Sequence, residues 1–141
     1  MKRKALIIED NEQNLYLMSY LLTRHEFEVV TACDGREGIE TARRENPDII
    51  LLDIQLPGMT GYDVAREMRR DPRLAPVPMV AVTSYAMPGD RELVLAAGCT
   101  GYIEKPINPE TFITQIEVYL AHDRRVPRPG REGESDEDPG G

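Results

Sequence analysis

The chain has 141 residues, the length of one ordinary domain and too short for a two-domain enzyme, and its 40% hydrophobic, 30% charged composition is globular. Two widely separated cysteines, Cys33 and Cys99, and two histidines, His25 and His122, exclude a disulfide scaffold and offer no zinc or haem spacing. A net charge of −8, no apolar run near the ~18 residues of a membrane span, and too short an apolar stretch after Met1-Lys2-Arg3-Lys4 for a signal peptide argue against nucleic-acid and membrane partners and predict a cytoplasmic, thiol-reduced protein.

In chain order, short aliphatic runs alternate with longer segments whose apolar residues recur three or four apart. Ala5–Ile8 reads as a first strand, followed by Asn11 as N-cap of a helix carrying Leu15, Met18 and Leu22 and ending near His25. Tyr16 and Tyr20 share a face of that helix beside Leu21, which reads as half-buried packing, with a partner-docking rim as the alternative. Phe27–Thr31 is the second strand; Asp34 caps a helix with Ile39 and Ala42, closed by Asn46-Pro47. Ile49–Leu52 is the third strand, and Thr60 with Asp63 resembles a capping box before Val64 and Met68. Met79–Val82 is the fourth; Pro88 suits the first turn of a helix carrying Leu93, Ala96 and Ala97, with Gly98 just past its end. Gly101–Ile103 is the fifth strand, and Asn108-Pro109 opens a last helix with Phe112, Ile116 and Leu120.

From Val126 to Gly141 seven of sixteen residues are Pro or Gly and the rest are mostly charged, so this segment is expected to be a disordered tail on a folded unit spanning residues 2–125. Five strands alternating with five helices predict an α/β protein: a flavodoxin-like (βα)5 doubly wound parallel sheet, strand order 2-1-3-4-5, with its crevice at the carboxyl ends of strands 1 and 3.

The residues that follow each strand converge there. Strand 1 leads into Glu9-Asp10, strand 3 into Asp53, strand 4 into Thr83-Ser84 and strand 5 into Glu104-Lys105-Pro106. Three carboxylates in one place raise one another's pKa or recruit a cation, and an all-oxygen set suits Mg²⁺, or Mn²⁺ in its place. A carboxylate fixed on a strand end beside a metal can attack phosphorus, which makes Asp53 the candidate acceptor; Lys105 and Thr83 are placed to bind phosphoryl oxygens. Met59, Met68, Met79 and Met87 read as gap-fillers or loop residues rather than a soft-metal site, and both cysteines as inert small hydrophobes.

These positions resemble the receiver domain of two-component response regulators, the CheY-like family: the acidic pair Glu9-Asp10, the acceptor-type Asp53 in the run to Gly61, the hydroxyl of Thr83, the aromatic Tyr102, and Lys105-Pro106. Within it, Ile8–Glu12, Asp53–Pro57, Ala81–Thr83 and Lys105–Ile107 resemble the DivK-like single-domain group, though they recur in receivers attached to hybrid kinases. The resemblance implies phosphoryl transfer to Asp53 from a phosphohistidine on a histidine kinase or histidine phosphotransfer protein. It further implies Mg²⁺ held by Asp10, Asp53 and the main-chain carbonyl of Gln55, with Glu9 acting through water; a cis Lys105–Pro106 bond; and a switch through Thr83 and Tyr102 to a face formed by helix 4, strand 5 and helix 5. Glutamate at position 9, where aspartate is the alternative, lengthens the acid by one methylene.

The expected role is a signalling domain rather than an enzyme, with self-catalysed phosphoryl transfer and dephosphorylation only. Its output would be protein binding, since no helix-turn-helix follows. Two alternatives remain open from sequence: a phosphorylation-independent interaction module, and the receiver fragment of a longer hybrid kinase. A haloacid-dehalogenase-type phosphatase is disfavoured because Gln55 stands where that family has a second aspartate, and a flavodoxin because Glu9–Glu12 is acidic where a phosphate loop is needed.

Overall fold

The computed structural model describes residues 2–84 and 89–121. Pro88, Met87 and the tail, together with the proposed boundary at residue 125, lie outside the described residues. Five strands and five helices alternate: β1 (Lys4–Ile8), α1 (Glu12–Arg24), β2 (Glu28–Ala32), α2 (Gly35–Glu45), β3 (Ile49–Asp53), α3 (Gly61–Arg70), β4 (Met79–Thr83), α4 (Asp90–Ala96), β5 (Gly101–Glu104) and α5 (Phe112–Leu120). All strand pairs are parallel and the order is β2-β1-β3-β4-β5, the flavodoxin-like arrangement.

Strand periodicity divides the interior into two layers, because successive side chains leave opposite faces of a sheet. Leu6, Ile8, Ile50, Leu52, Met79 and Ala81 meet Ile39, Val64, Met68 and Val94 of α2, α3 and α4. Ala5, Ile7, Ile49, Leu51, Val80 and Val82 meet Met18, Leu22, Phe112 and Ile116 of α1 and α5. The central β3 and β4 are buried at every position, whereas edge strands β2 and β5 carry exposed ones.

The side chains of Asn11, Asp34 and Thr60 each accept a backbone N–H of the first helical turn, as their positions predict. Asn108 differs. Its side chain accepts the amide of Glu110 and its carbonyl accepts those of Thr111 and Phe112, so it organises a turn ahead of α5, whose N-cap is Thr111. Phe27 does not open β2. Its N–H donates to the Leu22 carbonyl in a turn where Glu26 adopts a left-handed φ of 67°, and the strand begins one residue later.

Burial on α4 also departs from expectation. Val94 is its buried residue, while Leu93 is exposed, because the helix is only seven residues long and meets the core along one narrow line. Tyr16 and Tyr20 are exposed rather than half-buried, stacked on each other with ring centroids 6.3 Å apart. Cys99 is buried, and burial pushes its thiol up to about 11; Cys33 is exposed, and the neighbouring Glu37 raises its pKa. Met68 and Met79 fill the core, with Met59 packed at its margin.

Candidate functional site

Sheet register alone aligns the site. Ile8 pairs with Leu52, Asp53 with Val82, and Thr83 with Glu104, so Glu9, Asp10, Asp53, Thr83 and Lys105 all emerge at one carboxyl edge. Gly61 helps to seat Asp53: its amide donates to the Ile54 carbonyl, and a Cβ there would stand 2.6 Å from Ile54 Cα and 2.7 Å from the Asp53 carbonyl oxygen. The segment after β3 therefore folds back tightly against the strand end.

Glu9 and Asp53 are 1% and 3% exposed, whereas Asp10 stands at the exposed rim. Carboxylate oxygens of all three lie within 4.8 Å of one another. Lys105 Nζ lies 3.3 Å from Glu9 Oε1 and Oε2 and 3.4 Å from Asp53 Oδ2. Backbone amides hold the same two acids from the other side: Asn11 N–H donates to Glu9 Oε2 at 3.2 Å and Gln55 N–H to Asp53 Oδ1 at 3.0 Å. Burial and the adjacent Asp53 push the Glu9 carboxyl up to about 7, with Lys105 opposing them.

This arrangement fits a hard divalent cation. Glu9 Oε1 is buried and accepts no hydrogen bond, although the Lys105 ammonium is close, and the donor set offers only oxygen. Gln55 is exposed next to Asp53, where its amide supports the aspartate.

Thr83 is buried at the end of β4. It shares strand parity with Met79 and Ala81, whose side chains face α3 and α4, and Ala81 pairs with Tyr102. Tyr102 is half-buried against that same layer. The Lys105–Pro106 bond is cis, and Lys105 N–H donates to the Thr83 carbonyl at 2.9 Å. Two contacts escaped the sequence reading: Arg91 lies over the Tyr102 ring, 5.5 Å from its centroid, and Tyr119 O–H donates to the Tyr102 carbonyl at 3.4 Å. Neither pair has a local sequence signal.

A parallel sheet of this order with buried acids and a lysine at its carboxyl edge defines a CheY-like receiver. The response regulator receiver domain family matches residues 5–117, and the chain belongs to that family, the receivers of two-component signalling. It is 40% identical over 120 residues to the polar-differentiation response regulator DivK of Brucella ovis, covering 85% of this chain and 98% of that one. Among solved structures, it is similar to the chemotaxis response regulator CheY4 of Vibrio cholerae, with a TM-score of 0.81, 29% identity, and coverage of 84% of this chain and 99% of that one. It is likewise similar to the receiver domain of a sensor histidine kinase of Pseudomonas aeruginosa, described with magnesium coordinated in its active site cleft, with a TM-score of 0.79, 30% identity, and coverage of 86% and 99%. No helix among the described residues is long and apolar enough to cross a membrane.

Proposed function

We propose that Asp53 is the phosphoacceptor of this receiver and that the chain works as a DivK-like cytoplasmic switch. The observation that carries this reading is a buried carboxylate at the end of a central strand, grouped with Glu9 and Asp10 and contacted by Lys105. A carboxylate oxygen of Asp53 forms a bond to phosphorus as the P–N bond of a phosphohistidine breaks, and the electron pair stays on the imidazole nitrogen. The donor is a histidine kinase or a histidine phosphotransfer protein.

Asp10, Asp53 and the Gln55 carbonyl would hold Mg²⁺ or Mn²⁺ directly and Glu9 through water; when bound, the ion offsets negative charge on the phosphoryl oxygens. Lys105 and Thr83 bind those oxygens after transfer, and loss of the phosphoryl group to water completes the cycle without a further enzyme. Because Thr83 and Tyr102 lie on the α4 side of the sheet, the pull on Thr83 is read at the α4, β5 and α5 face by a protein partner. Residues 2–125 are proposed as the unit sufficient for phosphorylation, with the boundary placed by the change in composition at Val126.

Incubation with acetyl phosphate followed by intact-mass measurement tests this reading. One phosphoryl group should be added in the presence of Mg²⁺ and none with a chelator, Asp53→Asn should stay unlabelled, and a chain ending at Arg125 should label like the whole. Undiminished labelling of Asp53→Asn would remove the assignment, and no labelling of the wild type would favour a phosphorylation-independent module.

A further inference from the structure

Helix α4 is anchored at its C-terminus. Its C-terminus closes with Gly98 at φ 114°, Gly98 N–H bonded to the Leu95 carbonyl and Cys99 N–H to the Val94 carbonyl, a double closure that fixes the last turn. The half-buried side chain of Arg69 on α3 then ties that end to the body of the protein. Its Nε donates to the Gly98 carbonyl at 2.6 Å, and its Nη1 donates to the carbonyls of Leu74, Ala75 and Val77. At the other end the N-cap is Gly89, which supplies no side-chain cap, and Val94 is the buried residue of the helix.

In the first turn of α4, Arg91 reaches across to β5 and covers the Tyr102 ring. The two residues line a hollow of about 370 Å³ with Glu104, Thr111, Gln115 and Tyr119. The backbone of Tyr102 is fixed by pairing with Ala81 and by the Tyr119 hydroxyl on its carbonyl. What remains adjustable is the tyrosine side chain, and the group resting on it is a guanidinium.

We propose that Arg91 is a positioning residue for Tyr102, its guanidinium holding the ring in the conformation of the resting crevice and thereby setting how readily phosphorylation turns the α4, β5, α5 face. The inference rests on the phosphoacceptor reading of Asp53. Arg91 covers Tyr102 while Lys105 pairs directly with the Glu9 and Asp53 carboxylates, the pairing that a phosphoryl group on Asp53 would replace. A contact present in one state and lost in the other biases the equilibrium by its own strength. For an exposed cation over an aromatic ring, that strength corresponds to a population ratio of about two- to five-fold.

The test is amide NMR on the full chain with and without Mg²⁺ and beryllofluoride, which stands in for the phosphoryl group on Asp53. Resonances of α4 and β5 that move along one line between the unligated and beryllofluoride positions report the population of the switched state. Arg91→Ala should displace the unligated peaks toward the beryllofluoride end, raising the switched-to-resting ratio about two- to five-fold, and Arg91→Lys should displace them less. In a Tyr102→Leu background, Arg91→Ala should add nothing, an outcome that simple loosening of α4 would not give. Unligated Arg91→Ala peaks at the wild-type position, or the same displacement in the Tyr102→Leu background, would overturn the proposal and leave Asp53 as acceptor. Absence of beryllofluoride shifts around Asp53 in the wild type would overturn the phosphoacceptor reading, and the role of Arg91 with it.

Discussion

Lys105 Nζ lies 3.4 Å from Asp53 Oδ2, with the same ammonium 3.3 Å from Glu9, so one cation serves two buried acids whose strands are neighbours in the sheet. The Lys105 side chain is 11% exposed and those of the two acids less, so this pairing sits where charge is costly to leave uncompensated. The lysine thereby offsets acidic charge before phosphorylation and, on the proposed function, becomes available to the phosphoryl group afterwards.

Removing it has a defined sign. Lys105→Met should lower stability of the metal-free protein at pH 8 by about 1–3 kcal/mol, less than the usual cost of breaking a buried pair because protonation of Glu9 relieves part of it. Mg²⁺ affinity should hold or rise, since the ammonium competes with the cation for the same oxygens. Urea unfolding and calorimetric titration check both; a marked loss of Mg²⁺ affinity would show that Lys105 supports the metal site rather than opposing it.

The Glu9 carboxyl, pushed up to about 7 from an ordinary 4.5, makes the metal-free fold sensitive to pH. Between those values the folded protein keeps a proton that the unfolded chain has released, so stability falls as pH rises through that window and levels off above it. Mg²⁺ competes with that proton, so its affinity rises over the same range. Unfolding midpoints from pH 5 to 8 should show the decline in wild type and lose it in Glu9→Gln. A metal-free stability that climbs across the window would contradict the placement of Glu9.

Much of this site was legible because strand ends are predictable from aliphatic runs. Ile49–Leu52 followed by Asp53 needs no structure to place the acid at a carboxyl edge, and five βα units suggest the flavodoxin-like strand order. What sequence reasoning could not separate is burial within the acidic pair: Glu9 is inside and Asp10 at the rim, a difference made by how the chain turns after Ile8. The start of β2 was misread because Phe27 looks like a strand residue, yet its amide closes the turn that ends α1. The Arg91–Tyr102 and Arg69–Gly98 contacts join residues on separate elements, and only tertiary packing brings them together.

Glu26 offers a test of that turn. A non-glycine residue at φ 67° is strained, and both capping hydrogen bonds, Glu26 N–H to Thr23 and Phe27 N–H to Leu22, are kept when the side chain is removed. Glu26→Gly should stabilise the fold by about 1 kcal/mol, visible as a rise of a few degrees in Tm, with phosphorylation unchanged. A fall in Tm would mean that the glutamate side chain contributes more than the backbone strain costs.

Thr83 separates acceptance of the phosphoryl group from its readout. Thr83→Ala leaves the three carboxylates and Lys105 in place, so acetyl phosphate should still label Asp53. On the proposed function, the variant lacks the hydroxyl that would donate to a phosphoryl oxygen after transfer, an interaction of about 1–3 kcal/mol. Beryllofluoride shifts that spread from the crevice to Leu93 through Phe112 in the wild type should stay near Asp53 in the variant. Equally extensive shifts in both would show that Thr83 is not the coupling element.

The central claim is that a covalent acyl phosphate forms on Asp53. Borohydride reduces an acyl phosphate to the corresponding alcohol while leaving free carboxylates intact, so reduction of the acetyl phosphate-treated chain followed by peptide mass mapping reads the acceptor directly. The account predicts conversion at Asp53 alone, dependent on Mg²⁺, with Glu9 and Asp10 unmodified. Conversion at Glu9 or Asp10, or a phosphate that survives reduction on a hydroxyl or imidazole side chain, would contradict it.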